Sequence, residues 1–144
     1  MVKIRVEAEI RPTENPKKVE QAVRNVFDPE TIKVEERGNI KVLVAESRSY
    51  RSLLKLHSLL RQERILDASR KILKKGVKGN IVVFHIHKQA AYVGRLTFAT
   101  ERGESPLGPI TFIIETKNPK ELIDWLTPKT ERGKPLWEKE IPKD

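Results

Sequence analysis

The sequence predicts an α+β fold: one domain with a mixed, largely antiparallel sheet of about six strands and helices mainly on one face. Apolar and charged residues alternate strictly over positions 2–10, a pattern typical of a strand with one face on a core and one in water. Three short runs rich in β-branched and aromatic residues lie between positions 79 and 115, separated by Gly and Pro, and they predict neighbouring strands.

Within the first 47 residues, the sequence pattern predicts a strand, a helix and a hairpin, in that order. Asn15 and Pro16 form an N-cap with proline at the first helical position, and apolar residues at helical spacing continue to Phe27. Residues 31–35 and 40–45 flank a turn in which Gly38 supplies the positive φ of a hairpin. The second of these two strands is the more apolar, so we expect the first at an edge of the sheet.

The next helical segment contains two apolar stripes that are out of phase. Leu53, Leu56 and Leu60 form the first stripe, and apolar residues between positions 65 and 73 form the second. At about 100° per residue the two stripes point to nearly opposite sides of one continuous helix. We therefore expect a break or sharp kink at residues 61–64. The alternative is one long helix between the sheet and a partner subunit.

The C-terminal third predicts a core strand, a short helix and a tail. Ile81 to Ile86 is nearly continuous in apolar character, which predicts a central strand covered on both faces. Asn118-Pro119 repeats the N-cap pattern, and Glu121 is placed to complete a capping box. The predicted domain covers residues 1–128. Residues 129–144 form a charged, Pro-containing tail that is either a docked extended segment or partly disordered.

Composition limits the class of protein. No apolar run approaches ~18 residues, so no membrane-spanning helix is expected. The alternating start lacks the unbroken apolar region of a signal peptide, which predicts a cytoplasmic protein. The absence of Cys excludes disulfides, thiolate catalysis and Cys-ligated zinc. Charged residues make up 34% of the chain, a profile typical of heat-adapted proteins with surface ion-pair networks.

The net charge of +9 is concentrated in one segment. Residues 1–47 contain nine Lys or Arg and nine Asp or Glu, and residues 79–144 contain ten and nine. Residues 48–78 contain ten and two, and so carry +8 of the +9. Such a local excess predicts a basic helical surface for a polyanion, whose phosphates would be neutralised with release of counterions.

The candidate nucleic-acid contacts are cations in the second half of this basic segment, together with two residues at a strand end. They are Arg61, Arg64, Arg70, Lys71, Lys74, Lys75, Lys78, Lys88 and Gln89. On a helical wheel Arg64, Lys71 and Lys75 align along one side. Asp67 lies within ion-pair reach of both Arg64 and Arg70, so the lysines are the preferred phosphate contacts.

Lys88 and Gln89 leave three interpretations open. They could hydrogen-bond a strand connection, contact RNA, or take part in catalysis through a buried lysine with a depressed pKa. His85 and His87 share a strand face, but no third ligand stands at a spacing that would complete a metal site. Residues 105–109 lack the spacing of a phosphate loop and predict a rigid turn. We therefore predict no metal and no cofactor.

If the polyanion is an RNA, the aromatic residues favour one mode of recognition. Only Tyr50, Tyr92, Trp125 and Trp137 are candidates for stacking on bases, and the sequence does not show which are exposed. Recognition of the shape and backbone of a structured RNA is therefore favoured over the reading of a single strand.

Four motifs occur together in this chain: Lys88-Gln89-Ala90-Ala91, Leu107-Gly108-Pro109-Ile110, residues 122–128 and residues 64–70. As a set they resemble an archaeal family of uncharacterised proteins known as UPF 0201, and the resemblance spans roughly residues 1–130. It implies a fold like that of the large-subunit ribosomal protein that binds the smallest ribosomal RNA, and it implies RNA binding. It carries over no catalytic or binding residues.

We therefore expect a non-catalytic RNA-binding protein of the archaeal cytosol, linked to the ribosome or to RNA processing. The alternative is a homodimeric structural or interaction module whose basic face binds an acidic protein. An enzyme that uses Lys88 or the His85/His87 pair is a third hypothesis. Salt-dependent RNA binding separates the first hypothesis from the second, and a metal assay separates the third from both.

Overall fold

The computed structural model describes residues 1–99 and 107–144. The strands are β1 (Val2–Ile10), β2 (Thr31–Arg37), β3 (Ile40–Ser47), β4 (Val77–Lys78), β5 (Ile81–His87), β6 (Phe98–Ala99), β7 (Pro109–Thr116), β8 (Thr130–Glu131) and β9 (Lys134–Pro135). The helices are α1 (Pro16–Val26), α2 (Leu54–Gln62), α3 (Leu66–Lys75), α4 (Lys88–Tyr92) and α5 (Pro119–Leu126), and a 3-10 turn at Tyr50–Leu53 precedes α2.

Seven strands form one sheet in the order β2-β3-β1-β7-β5-β4, with β6 also paired to β5, and β8 and β9 form a separate two-stranded sheet. Every pairing within the described residues is antiparallel. The predicted α+β fold is confirmed, and β2 lies at the edge of the sheet as expected. The hairpin between β2 and β3 turns at Gly38, which has the predicted positive φ of 65°.

The core lies between one face of the sheet and the helices. Alternate residues of β1 meet apolar partners on both sides: Val6 is opposite Ala45 of β3 and Phe112 of β7. The Phe112 ring stacks on Phe84 at 4.9 Å and meets Phe27, just after α1, edge-on at 5.9 Å. The period-two pattern of the strands thus fixes which face the helices cover.

The prediction for β5 is correct in its position and wrong about its second face. β5 lies inside the sheet, between β7 and the short strands β4 and β6. Its residues nevertheless alternate: Val82 and Phe84 are buried, whereas Ile81 on the opposite face is 38% exposed. The helices pack on the side of Val82, so the β-branched residues on the other side face a partly open surface.

The helix break is confirmed. α2 ends at Gln62 and α3 begins at Leu66, and Arg64 between them has a left-handed φ of 57°. Leu60 before the break and Leu73 after it are both buried in the same core. The alternative of one long helix covered by a partner subunit is therefore wrong: the change of direction lets both stripes face the core of one chain.

The two N-caps behave differently. The Asn15 side chain accepts the Lys17 N–H at 2.9 Å, as the cap pattern predicts. At α5 the Asn118 side chain accepts the Glu121 N–H at 3.1 Å, but the N–H of Asn118 donates to Thr116 Oγ1. The reciprocal half of the predicted capping box is therefore replaced by a bond to the preceding strand.

Residues 129–144 lie against the domain as a short hairpin (β8 and β9) followed by extended chain. Ile141 packs on the core, and the Glu138 carboxylate pairs with Arg61 of α2 at 2.6 Å. The Asp144 carboxylate accepts hydrogen bonds from Ser49 Oγ and from the Tyr50 N–H. Of the two alternatives for the tail, the structure shows the docked one.

Candidate nucleic-acid interface

The end of α3 carries the exposed part of the basic segment. We call Lys71, Lys74, Lys75 and Lys78 the α3 lysines; all four side chains are exposed. Gly76 ends the helix, and its own carbonyl accepts the N–H of Val83 in β5 at 3.0 Å. A Cβ at this position would lie 2.0 Å from the Val83 carbonyl oxygen, so only glycine permits this close approach. The chain then continues into β4, which presents Lys78.

The α3 lysines have few charge partners. Lys71 lies 4.0 Å from Asp67, and both side chains are about three-quarters exposed, so the pair contributes little. For Lys74, Lys75 and Lys78 no carboxylate stands within 4.0 Å in residues 1–99 and 107–144. Lys74 and Lys75 lie in the last turn of α3, where a cation is favourable by about 0.3–1 kcal/mol, so helix stability alone explains part of the cluster.

The α3 lysines do not share one face. Lys75 and Lys78 line a depression of about 620 Å³ over the open face of the sheet. Lys74 lines a pocket of about 420 Å³ between α3, α5 and the tail, which we call the α5 pocket. The cluster is therefore a ridge between two concave surfaces.

Arg64 does not align with the α3 lysines. It is exposed, but it lies in the break before α3 with a left-handed backbone. The predicted alignment with Lys71 and Lys75 assumed a continuous helix through residue 64, and that part of the prediction is wrong.

Arg61 has internal partners for its whole guanidinium. Its Nε and Nη2 donate to the two oxygens of Glu138, and its remaining bonds go to the carbonyl oxygens of His57, Trp125 and Leu126. These five bonds use all five N–H donors of the side chain. Arg61 therefore connects α2, the end of α5 and the tail, and it has no N–H donor left for a phosphate.

Arg70 is buried, at 8% exposure. It donates to the Thr127 carbonyl at 2.7 Å and to Asp124 Oδ1 at 2.8 Å, and its Nε has no acceptor within the described residues. Asp124 also accepts a bond from Lys120 at 2.8 Å. Burial raises the pKa of Asp124, but the bonds from Lys120 and Arg70 outweigh it and hold that pKa below its usual value. Arg70 thus anchors α5 and lines the α5 pocket.

Lys88 serves the strand connection. The residue is buried, with 3% of its surface exposed. Its ammonium donates hydrogen bonds to the Glu9 carbonyl, the Leu107 carbonyl and the Glu14 carboxylate. Burial lowers the pKa of Lys88, while the bond to Glu14 and its charge oppose that shift. Three acceptors occupy its three N–H donors, so Lys88 is not retained as a phosphate contact. Its neighbour Gln89 is exposed.

The histidines are placed on the sheet and on α2. His85 Nδ1 lies 2.8 Å from Thr111 Oγ1 on β7, and His57 stacks on Trp125 at 5.0 Å. Burial, followed by the charge of Arg61, lowers the pKa of His57. No three His, Cys, Asp or Glu side chains converge as metal ligands in the ranges that the structure describes. Of the predicted turn at residues 105–109, the first two residues lie outside those ranges, and Gly108 has a φ of 80°.

Sequence reasoning did not identify the α5 pocket. Lys120 joins Arg70 because both contact Asp124, and Trp137 and Lys129 join them because the tail docks. Trp137 was one of four aromatic candidates; Tyr50 and Trp125 are buried, so only Tyr92 and Trp137 are accessible among them. None of the helices in residues 1–99 and 107–144 has the length and apolar character needed to cross a membrane.

Comparison with known proteins supplies the family. A family model described as "RNA binding" matches residues 3–116. A UPF0201 protein of Sulfurisphaera tokodaii is 56% identical over 144 residues, which cover 100% of this chain and 99% of the relative. A UPF0201 protein of Saccharolobus solfataricus is 54% identical over the same coverage.

Solved structures agree with the fold. The crystal structure of a UPF0201 protein from Methanococcus jannaschii is similar with a TM-score of 0.81 at 30% identity, covering 93% of this chain and 98% of that chain. A DUF54 protein from Methanothermobacter thermautotrophicus, at 20% identity and a TM-score of 0.62, shares the fold; the match covers 87% of this chain and 96% of that one. Because the family model spans most of the chain and the relatives match it from end to end, the protein belongs to the archaeal UPF0201 family.

Proposed function

We propose that this protein is a non-catalytic RNA-binding protein whose α3 lysines contact phosphates of a structured RNA. The observation that carries the proposal is the ridge at the end of α3, where Lys74, Lys75 and Lys78 are exposed and have no carboxylate partner within the described residues. The description of the matching family model supports RNA as the polyanion.

The mechanism is electrostatic. Elsewhere some cations are paired with carboxylates, as in the network that joins Arg5, Glu7 and Arg37 on the open face of the sheet. Other cations also lack an ion pair within the described residues, but the ridge places three such lysines within positions 74–78. An unmatched ridge attracts a polyanion, and each phosphate it neutralises releases condensed counterions. Because phosphates carry no sequence information, such contacts position the RNA and do not select bases.

A role in the archaeal cytoplasm, at the ribosome or in RNA processing, is the cellular setting that we propose for this activity. The competing proposal is a homodimeric interaction module whose ridge binds an acidic protein. The two proposals differ in what the ridge binds and in the oligomeric state of the free protein.

The test is the salt dependence of RNA affinity for wild type and two triple variants. Changing Lys74, Lys75 and Lys78 to Gln should flatten the slope of log K against log [salt] by about two to three units, at about 0.7–0.9 for each phosphate contact. The loss of affinity should be similar for hairpins of unrelated sequence. The measurement is fluorescence anisotropy of a labelled RNA hairpin at several salt concentrations.

A matched control changes Lys17, Lys41 and Lys117 to Gln. These lysines are also exposed and have no ion pair within the described residues, but they lie outside the ridge. The control removes the same charge and should leave the slope nearly unchanged. If wild type does not bind RNA at low salt, or if both triples lower the slope equally, the proposal fails. Sedimentation of the free protein as a dimer would then favour the interaction module.

A further inference from the structure

The α5 pocket is a concave site of about 420 Å³ between α3, α5 and the tail. This volume lies within the range of small-molecule sites, about 300–1,000 Å³. Its apolar lining comes from Val77, Pro119 and Ile123, and its polar lining comes from α3, α5 and the tail. It is therefore large enough for one nucleotide and has surfaces for both an apolar ring and an anion.

The charge of the pocket is strongly positive. Arg70, Lys74, Lys120 and Lys129 line it with a single carboxylate, that of Asp124, for a net charge of +3. Asp124 is shared between Arg70 and Lys120, while Lys74 and Lys129 have no ion pair within the described residues. Arg70 is more than nine-tenths buried and has an Nε without an acceptor in residues 1–99 and 107–144. Because Asp124 balances the charge of Arg70, the net charge of +3 comes from Lys74, Lys120 and Lys129.

The aromatic side chain of the pocket is held in place. The Trp137 indole N–H donates to the Asp124 carbonyl at 3.4 Å, and Lys139 Nζ lies 5.6 Å from the ring centroid. The residue is only partly buried, and its ring lines the pocket beside the cations. A fixed aromatic ring next to a cationic surface is the combination with which proteins hold an unpaired nucleotide, since the base stacks on the ring and the cations bind the phosphate.

We propose that the α5 pocket binds one unpaired nucleotide of an RNA, with its base against Trp137 and its phosphate among Lys74, Lys120 and Lys129. The proposal rests on the RNA binding proposed above and extends it, because Lys74 belongs to both the ridge and the pocket. The ridge would hold the paired backbone, and the pocket would select RNAs in which a nucleotide leaves the helix. The protein would thus prefer a bulged or open-ended RNA to a perfect duplex.

The experiment compares a fully paired RNA hairpin with the same hairpin carrying one bulged adenosine. Wild type should bind the bulged hairpin about fivefold or more tightly, the effect expected from stacking one base on one aromatic ring. Binding of the bulged RNA should also quench tryptophan emission. Trp125 is 2% exposed, so an emission change on binding reports on Trp137.

Two variants and a control identify the pocket. Trp137→Ala should reduce the preference for the bulge towards onefold, and Trp137→Phe should retain most of it because the ring remains. Lys129→Glu should also abolish the preference, and its exposed side chain has no described bond whose loss would unfold the tail. Lys134→Glu introduces the same charge change in β9, outside the pocket, and should keep the preference.

The outcomes separate this proposal from the function above. If wild type binds both hairpins with equal affinity and without emission quenching, the α5 pocket does not bind a nucleotide. Binding of the paired hairpin would still support phosphate contacts at the ridge. Equal effects of Lys129→Glu and Lys134→Glu on the preference also overturn the pocket. The proposal is supported if Trp137→Ala and Lys129→Glu lose the preference while Trp137→Phe and Lys134→Glu keep it. Trp137→Ala should also retain the affinity for the paired hairpin.

Discussion

Arg61 offers the sharpest test of the assignment of cations to structure or to RNA. Three of its five hydrogen bonds go to backbone carbonyls, two of which are at the end of α5. A hydrogen bond of this kind contributes about 0.5–1.5 kcal/mol net. The ion pair with the half-exposed Glu138 adds about 0–1 kcal/mol. Arg61→Met, which keeps the aliphatic stem, should therefore lower the free energy of unfolding by about 1.5–5.5 kcal/mol.

The assay is urea denaturation followed by far-UV circular dichroism, with RNA affinity of the folded variant measured in parallel. Glu138→Gln is the control, because it weakens the ion pair and leaves the three carbonyl bonds; we expect a loss of about 1 kcal/mol or less. The salt slope of RNA binding should be the same for Arg61→Met and wild type. A stability loss under 1 kcal/mol, together with a slope flattened by about 0.8 units, would refute our reasoning and return Arg61 to the phosphate contacts.

Three further predictions concern the core, the pH dependence and the end of α3. Phe112→Ala removes a fully buried ring that contacts Phe27 and Phe84, and should cost about 3–5 kcal/mol in a denaturant titration; a loss below 1 kcal/mol would mean that β7 is not central. Hydrogen bonds from Arg95, together with the Leu96 N–H, lower the pKa of Glu63 to about 2 from the usual 4.5. Because this folded-state pKa is depressed, the pair stabilises the fold above pH 4.5, and that stability is lost as the pH falls towards 2. Glu63→Gln should remove this part of the acid dependence in unfolding experiments, and an unchanged dependence would show that Glu63 is not coupled to folding. Gly76→Ala places a methyl group against the Val83 carbonyl oxygen and should cost about 1–3 kcal/mol by calorimetry; a neutral substitution would contradict the close approach of α3 to β5.

Local patterns were sufficient where neighbours in sequence decide the structure. The alternation in β1, the glycine turn between β2 and β3, the Asn15 cap and the out-of-phase leucine stripes all predicted what the structure contains. The capping box at α5 failed because the Asn118 N–H found Thr116 Oγ1 on the preceding strand. The second face of β5 was misjudged because a run of β-branched residues is compatible with a partly open surface as well as with a covered one.

Assignment of the basic residues required the tertiary structure. Composition placed the charge excess in residues 48–78, and the sequence favoured the lysines over Arg70 only because Asp67 is near Arg70 along the chain. In the fold Arg61 binds the tail, Arg70 anchors α5 and Lys75 faces solvent. A guanidinium becomes structural when carbonyls and carboxylates distant in sequence surround it, and that requires the chain to be folded.

The sequence by itself determined the α+β class, most strands and helices, the family, and the location of the charge excess, because each depends on local periodicity or on motifs read along the chain. Only the tertiary structure decided which cations remain free and which residues share a pocket. Trp137 and Arg70 are 67 positions apart, and they line one cavity because Asp124 and the docked tail bring them together. Such convergence depends on contacts between distant segments, and spacing along the chain does not encode it.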